Sequence, residues 1–192
     1  MTVTTKSLQT PKFLTEEMAR TAVRVAIQTI LNPPDVDQHG FGHEELKQYL
    51  KPTDKQCYVV ILVPGVIDHV AEGYHPDWPD YPLNPVLLYE HCERDGVDVF
   101  EAKFRDIAKN SALQLWTDRN DGRTDSPPHL LFQGDTPHSG GVKRHGIVVT
   151  CAGAQHYTNK LISAMVVELL VAMASAAWES SADYRQYVDF VT

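Results

Sequence analysis

Nine histidines in a chain of 192 residues are its first chemical signal. Imidazole titrates near neutrality, moves protons and ligates metals. The densest chemistry lies between Pro128 and Gly153, where His138, Lys143, Arg144 and His145 fall in a stretch that also carries Gly134, Gly140, Gly141 and Gly146. Glycines there permit positive φ and close approach of a ligand, so the spacing predicts a binding or catalytic loop carried by a rigid scaffold. Upstream, Arg94-Asp95-Gly96 offers a guanidinium to clamp a carboxylate and an aspartate to orient a histidine base. Cys151 closes an apolar run, where a polar site would activate its thiol. His39 and His43, four apart and followed by two glutamates, would share a helix face and give a divalent metal two ligands. Gly40 and Gly42 interrupt that helix, however, and no third ligand stands at a diagnostic distance.

The commonest sharp motifs are missing from the sequence: there is no phosphate-binding glycine loop, dinucleotide fingerprint, nucleophile elbow, Cys-x-x-Cys pair or His-Glu-x-x-His. With 17 basic against 25 acidic residues, a formal charge of −8 repels phosphate backbones and argues against nucleic acid as a partner. Forty-three per cent hydrophobic and 22 per cent charged residues describe a soluble domain with a sizeable core. The opening residues lack the apolar stretch of a secretory signal, so a cytoplasmic location is expected. Cys57, Cys92 and Cys151 are odd in number and lie in or beside apolar runs, which suits reduced, buried thiols. Leu161 to Trp178 is apolar but holds Glu168 in its middle, so no membrane span is expected. A core helix, or one through which identical subunits associate, is the better reading.

These residues need elements to hold them. Residues 1–12 read as a flexible N-terminal arm, and 13–192 as a single α+β domain with an insertion at about 64–84. Thr15 is a good N-cap, Glu16 and Glu17 suit the helix dipole, and Met18, Ala22, Val25, Ala26 and Ile30 recur at helical spacing until Asn32-Pro33-Pro34. A short helix is expected from about His43 to Leu50. Cys57 to Val63 is a continuous β-branched run, read as a central strand, and Val86 to Glu90 as its neighbour. The Pro- and aromatic-rich stretch from Pro64 to Asn84 reads as an ordered lid or an arm to a neighbouring subunit. Asp98 with Glu101 resembles a capping box, opening a helix that has Phe100, Phe104, Ile107, Ala108, Ser111 and Leu115 on one face and runs to about Trp116. Leu130 to Phe132 is expected to be a strand, Ile147 to Cys151 another, and Thr158 to Ser180 a long helix. The order predicts a largely antiparallel sheet flanked by helices.

Several short motifs carry a family resemblance. Phe132 to Pro137, then Gly140-Gly141-Val142, then Gly146 to Val149 and a small-residue turn ending at Gly153 before a helix, resemble the C-terminal half of the GlcG/HbpS-like family, often called haem-binding or haem-degrading. Arg94-Asp95-Gly96, followed by Ala108-Lys109 and Ala112, is similar to that family's upstream motifs, and the matches span roughly residues 57–175. The resemblance implies a GlcG-like fold and a small-molecule binding protein accessory to a catabolic or biosynthetic pathway. Its ligand would be haem or a comparable flat, anionic molecule, with His138 or His145 as axial ligand and Lys143 and Arg144 at the carboxylates. The alternative is an enzyme of the lyase or isomerase type on the same scaffold, with His145 as acid–base group, Arg94 and Asp95 in support, and Cys151 at the strand end. The sequence departs from the family at the insertion and at Thr150 to Gly153.

Overall fold

The computed structural model describes residues 8–31, 56–67, 84–94, 102–120 and 128–186. His39, His43, Asp95, the helix expected at 43–50, the Asp98 cap and insertion residues 68–83 lie outside the described residues. Among the described residues the strands and α-helices follow in order: β1 (Leu8–Gln9), α1 (Glu16–Ile30), β2 (Gln56–Ile67), β3 (Asn84–Arg94), α2 (Ala102–Trp116), β4 (Gly141–Arg144), β5 (Ile147–Ala152), α3 (His156–Ser180) and α4 (Ala182–Gln186). The fold is α+β, an antiparallel sheet between helices.

Four strands run in the order β3-β2-β5-β4, every pair antiparallel, and β1 joins the far end of β2. The register sets Tyr58 against both Cys92 and Ala152, with a bulge on β3 where Ile61 opposes Tyr89 and Leu62 opposes Leu87. Strand β2 is central and buried on both faces, which its unbroken apolar run anticipates. Cys57, Val59, Ile61 and Val63, with Ile147, Val149 and Cys151, face α1 and α3. Tyr58, Val60 and Leu62, with Val148 and Ala152, meet Ala108, Ala112 and Leu115 of α2 on the other side. Each fully buried Val, Leu or Ile side chain removed from water contributes about 1.5–3 kcal/mol, so this double-sided strand dominates the packing.

Helix α1 begins as its sequence predicts: the Thr15 hydroxyl accepts the Met18 N–H at 3.2 Å. Its apolar stripe is Ala19, Ala22, Val23, Ala26, Ile27 and Ile30, whereas Val25 is 38% exposed and not part of it. The described part of the expected arm is tied down. Leu8 pairs with Ile67 across β1 and β2, Lys12 meets the buried Asp183 carboxylate at 2.6 Å, and Phe13 packs edge-on against Trp178. Helix α3 is long and apolar enough, by length and composition, to cross a membrane. Its buried face, from Thr158 to Leu170, packs on the sheet.

One expected strand is absent and another replaces it. Pro128–Leu130 forms a single 3-10 turn, and Phe132 is 70% exposed. The reason is local: the Arg119 guanidinium lies 4.9 Å from the Phe132 ring centroid, and Asp135 accepts the Phe132 N–H at 2.9 Å, turning the chain away from the sheet. The partner strand of β5 is β4, built from Gly141 to Arg144.

Candidate functional site

At the C-terminal end of β5 the chain turns through Gly153 and Ala154 into α3. A cleft of about 470 Å³ opens there. Its walls are Lys103, Phe104 and Ile107 from the start of α2, His138 and Ser139 from the loop before β4, the turn from Ala152 to Gln155, and His156 and Asn159 from the first turns of α3. No acidic side chain is among these lining residues, although the chain as a whole carries −8. One lysine, two histidines and the positive end of a 25-residue helix therefore border a hollow with an apolar wall, a setting that favours negative charge.

Each wall has a local cause. Gly153 has φ +123°, and a Cβ there would stand 2.7 Å from the Gln56 carbonyl oxygen and 3.0 Å from Cys57 Cα. Only glycine lets the turn lie this close to β2. Three polar residues of α2 strap the His138 loop down: Asn110 Nδ2 donates to the Gly134 carbonyl at 2.7 Å, Gln114 Nε2 to that of Thr136 at 3.0 Å, and Ser111 Oγ to that of His138 at 3.3 Å. Arg119 adds an ion pair to Asp135, whose carboxyl is held below its ordinary range by the Phe132 N–H first and by Arg119 second. With its backbone fixed, His138 is held in the cleft lining. Lys103 lies over the Phe104 ring, 5.1 Å from its centroid, and His156 meets Tyr157 edge-on at 5.3 Å.

Behind the wall, the Asn159 side chain closes the turn twice. Its Oδ1 accepts the Ala154 N–H at 3.1 Å and its Nδ2 donates to the Ala154 carbonyl at 2.8 Å. The Cys151 thiol also donates to Oδ1, at 3.4 Å. Ser163 Oγ donates to the Gly140 carbonyl at 2.8 Å, tying the entry of β4 to the same helix.

The residues singled out in the sequence divide into three groups. His138 lines the cleft, and Gly140 lies behind it, where a Cβ would come within 2.9 Å of the Cys151 carbonyl oxygen and 3.2 Å of Asn159 Cβ. Gly141 is a packing glycine, since a Cβ there would fall 2.4 Å from Leu115 Cδ1. Gly134, at φ +92°, serves the strapped loop. Arg94 closes β3 opposite Gln56, at the cleft end of the sheet, but its Nε donates to Cys92 Sγ at 3.3 Å and it does not line the cleft.

Lys143, Arg144 and His145 belong to the other end. Arg144 pairs with Ile147, which leaves His145 and Gly146, with φ of 51° and 78°, as a two-residue hairpin turn. Ile147 to Ala152 spans roughly 17 Å at the rise of a strand, so this turn and the cleft lie at opposite ends of β5. Lys143 Nζ donates to Asp118 Oδ1 at 2.7 Å and to the Trp116 carbonyl at 2.9 Å, while Arg144 pairs with Glu168. Cys151 is 3% exposed, and burial, with Cys57 beside it, pushes its thiol well above the ordinary value. It is a protonated core thiol, not an activated nucleophile.

The sequence reading gave Lys103, Gln155 and Asn159 no role at a site. A signal for Asn159 existed: Thr158, Asn159 and Ser163 are polar positions on the buried face of an otherwise apolar helix, and buried polar groups need partners. No metal-ligating group of three or more His, Cys, Asp or Glu occurs among the described residues. No family model, curated protein or solved structure matches the chain.

Proposed function

We propose that the protein binds a small anionic molecule with an apolar body in the cleft between the start of α2 and the turn into α3. The observation that carries this reading is the convergence of Lys103, His138 and His156 on a hollow lined by Phe104 and Ile107 and, among the described residues, by no acid. Its volume, about 470 Å³, lies within the range of small-molecule sites. Phe104 and Ile107 take the apolar body, and the cations hold its charge. A thermal-shift screen of carboxylates, phosphates and haemin against wild type and Lys103→Glu tests it. At a hundredfold excess over Kd the best ligand should raise Tm by about 5–10 °C, and the shift should vanish in the variant. No shift from any of them at millimolar concentration would overturn the proposal.

Haem is the ligand that the GlcG/HbpS-like resemblance suggests, and the donor set fits it. His138 or His156 would offer an imidazole to hold the iron, Phe104 and Ile107 would hold the apolar ring, and Lys103 would meet a carboxylate. Bound haem would supply a redox-active iron. A saturable Soret band that His138→Ala or His156→Ala abolishes is the expected signature. The pair of imidazoles in one cleft also favours a second reading, acid–base catalysis on a carboxylate-bearing substrate, in which His138 or His156 takes the role expected of His145. In either case we read the protein as a cytoplasmic homo-oligomer associating through α3.

A further inference from the structure

Three titratable side chains stand in line on β3, away from the cleft. Successive residues of a strand alternate between its faces, so Tyr89, His91 and Glu93 share one. Their partners across the ladder are Ile61, Val59 and Cys57, which face α1 and α3, so the three lie on the sheet face opposite α2. They are joined head to tail: His91 Nε2 stands 3.2 Å from Glu93 Oε2, and His91 Nδ1 stands 3.5 Å from the Tyr89 hydroxyl. A carboxylate only accepts hydrogen bonds, so Nε2 carries the imidazole proton. In the neutral ring Nδ1 is then an acceptor, and the Tyr89 hydroxyl donates to it. Hydrogen bonds of proton-transfer pairs are often this long before substrate binds. The His91 and Glu93 side chains are 32% and 24% exposed, which leaves the imidazole within reach of a small molecule and partly shields the bonds from water. The Tyr89 ring packs on the core, and the Arg20 guanidinium of α1 lies 5.8 Å from its centroid. Arg20 also pairs with Glu16 at 2.8 Å, an exposed bond between helix neighbours that holds it weakly.

We infer that Tyr89, His91 and Glu93 form a nucleophilic site that hydrolyses activated acyl esters, with Tyr89 as nucleophile, His91 as its base and Glu93 positioning the imidazole. Carboxylate, imidazole and hydroxyl in that order are the arrangement that activates a weak oxygen nucleophile. The phenolic oxygen bonds to the acyl carbon while its proton passes to His91 Nδ1. The bond from that carbon to the leaving sulfur or oxygen breaks, and Nδ1 returns the proton to the leaving group. Water then attacks the acyl-tyrosine and gives a proton to Nδ1, and the released phenolate takes it back, leaving a carboxylic acid. The nucleophile sets the substrate class. Phenols as a class ionise at about 10 and thiols at about 8.5, and alkyl alcohols are far weaker acids. A phenol therefore displaces a thiolate or another phenolate but not an alkoxide, which selects thioesters and aryl esters. Arg20 adds a positive charge near the anion that forms.

The test treats the full chain with p-nitrophenyl acetate and with S-phenyl thioacetate, following leaving-group release and mapping acetyl groups by peptide mass. Tyr89 should be acetylated about tenfold faster than Tyr157 and Tyr184, although those two are 45% and 43% exposed, and release should continue past one equivalent. Acetylation that follows exposure, or that is confined to lysines, would overturn the inference without any variant. Release that stops at one equivalent would overturn the hydrolytic step. Ethyl acetate, whose leaving group is an alkoxide, should be inert, and turnover of it at a comparable rate would sink the substrate class. Tyr89→Phe should lose both the label and the turnover. His91→Ala should react about a hundredfold more slowly and recover about tenfold with millimolar imidazole, a rescue that structural damage does not allow. No rescue would remove His91 as the base. Glu93→Gln should cost about tenfold and Glu93→Asp less, whereas unchanged turnover in Glu93→Gln would take Glu93 out of the mechanism.

Discussion

The two ends of β5 carry similar chemistry and do opposite things with it. At the hairpin end, Lys143 and Arg144 are each committed to an acid, Asp118 and Glu168, and His145 occupies a tight turn. At the cleft end, Lys103, His138 and His156 border a hollow in whose described lining no acid stands. Residue type alone therefore does not mark a site. What distinguishes the ends is whether the basic side chains border a cleft or a packed hairpin, and that depends on which neighbours the fold supplies.

Glycine replacement should separate the two ends most widely. Gly153→Ala forces a Cβ onto the Gln56 carbonyl at 2.7 Å in a positive-φ turn, and should cost roughly 3 kcal/mol or more by urea denaturation and abolish ligand binding. Gly146→Ala at the hairpin, also at positive φ but with nothing nearer than Pro64 at 3.9 Å, should cost only about 1 kcal/mol. Equal losses would erase the contrast. Next in size, Lys103→Gln should weaken an anionic ligand about tenfold, close to 1.4 kcal/mol by calorimetry.

Tyr58 sharpens the comparison through pH, because it pairs with Ala152 at the cleft end of the sheet. Burial first, then the hydrogen bond and charge of Glu90, push its hydroxyl up to about 12 from 10.0. The folded state therefore holds this proton where the unfolded state has lost it. The contribution is complete below pH 10 and declines as pH rises through about 12. Tyr58→Phe should cost about 1 kcal/mol at neutral pH and flatten this alkaline limb in denaturation curves taken across the range. The smallest effects belong to the hairpin charges. Lys143→Gln and Arg144→Gln should each change stability by about 0.5 kcal/mol or less, as exposed ion pairs do, and leave ligand affinity untouched. A loss of affinity in either would return the hairpin to the site.

Much of the scaffold was readable from local pattern. Thr15 and the acidic pair after it mark the start of α1, and the run from Cys57 to Val63 marks β2, because capping and double-sided burial leave direct traces in residue type. Val25 and the stretch from Leu130 to Phe132 misled for one reason. An apolar residue obeys its pattern only where the core needs it, and Phe132 instead lies under Arg119, outside the sheet. Strand β4 was hidden by its composition, since Gly141, Lys143 and Arg144 read as loop residues until β5 supplies a ladder and Asp118 and Glu168 take up the charges. At the site, His138 and Gly140 were named from the glycine-rich stretch. Lys103, at the start of α2, and Asn159, in the first turns of α3, meet them only through the packing of both helices on one sheet, which no local spacing records.

The double burial of β2 has a consequence for how the molecule comes apart. Its odd-numbered residues from Cys57 to Val63 complete one core and its even-numbered residues from Tyr58 to Leu62 the other, so neither layer can melt while its partner stays intact. Heat or denaturant should release both in one cooperative step. In deuterated water the amide protons from Val59 to Leu62 should be the last to exchange, long after those of the hairpin at His145 have gone.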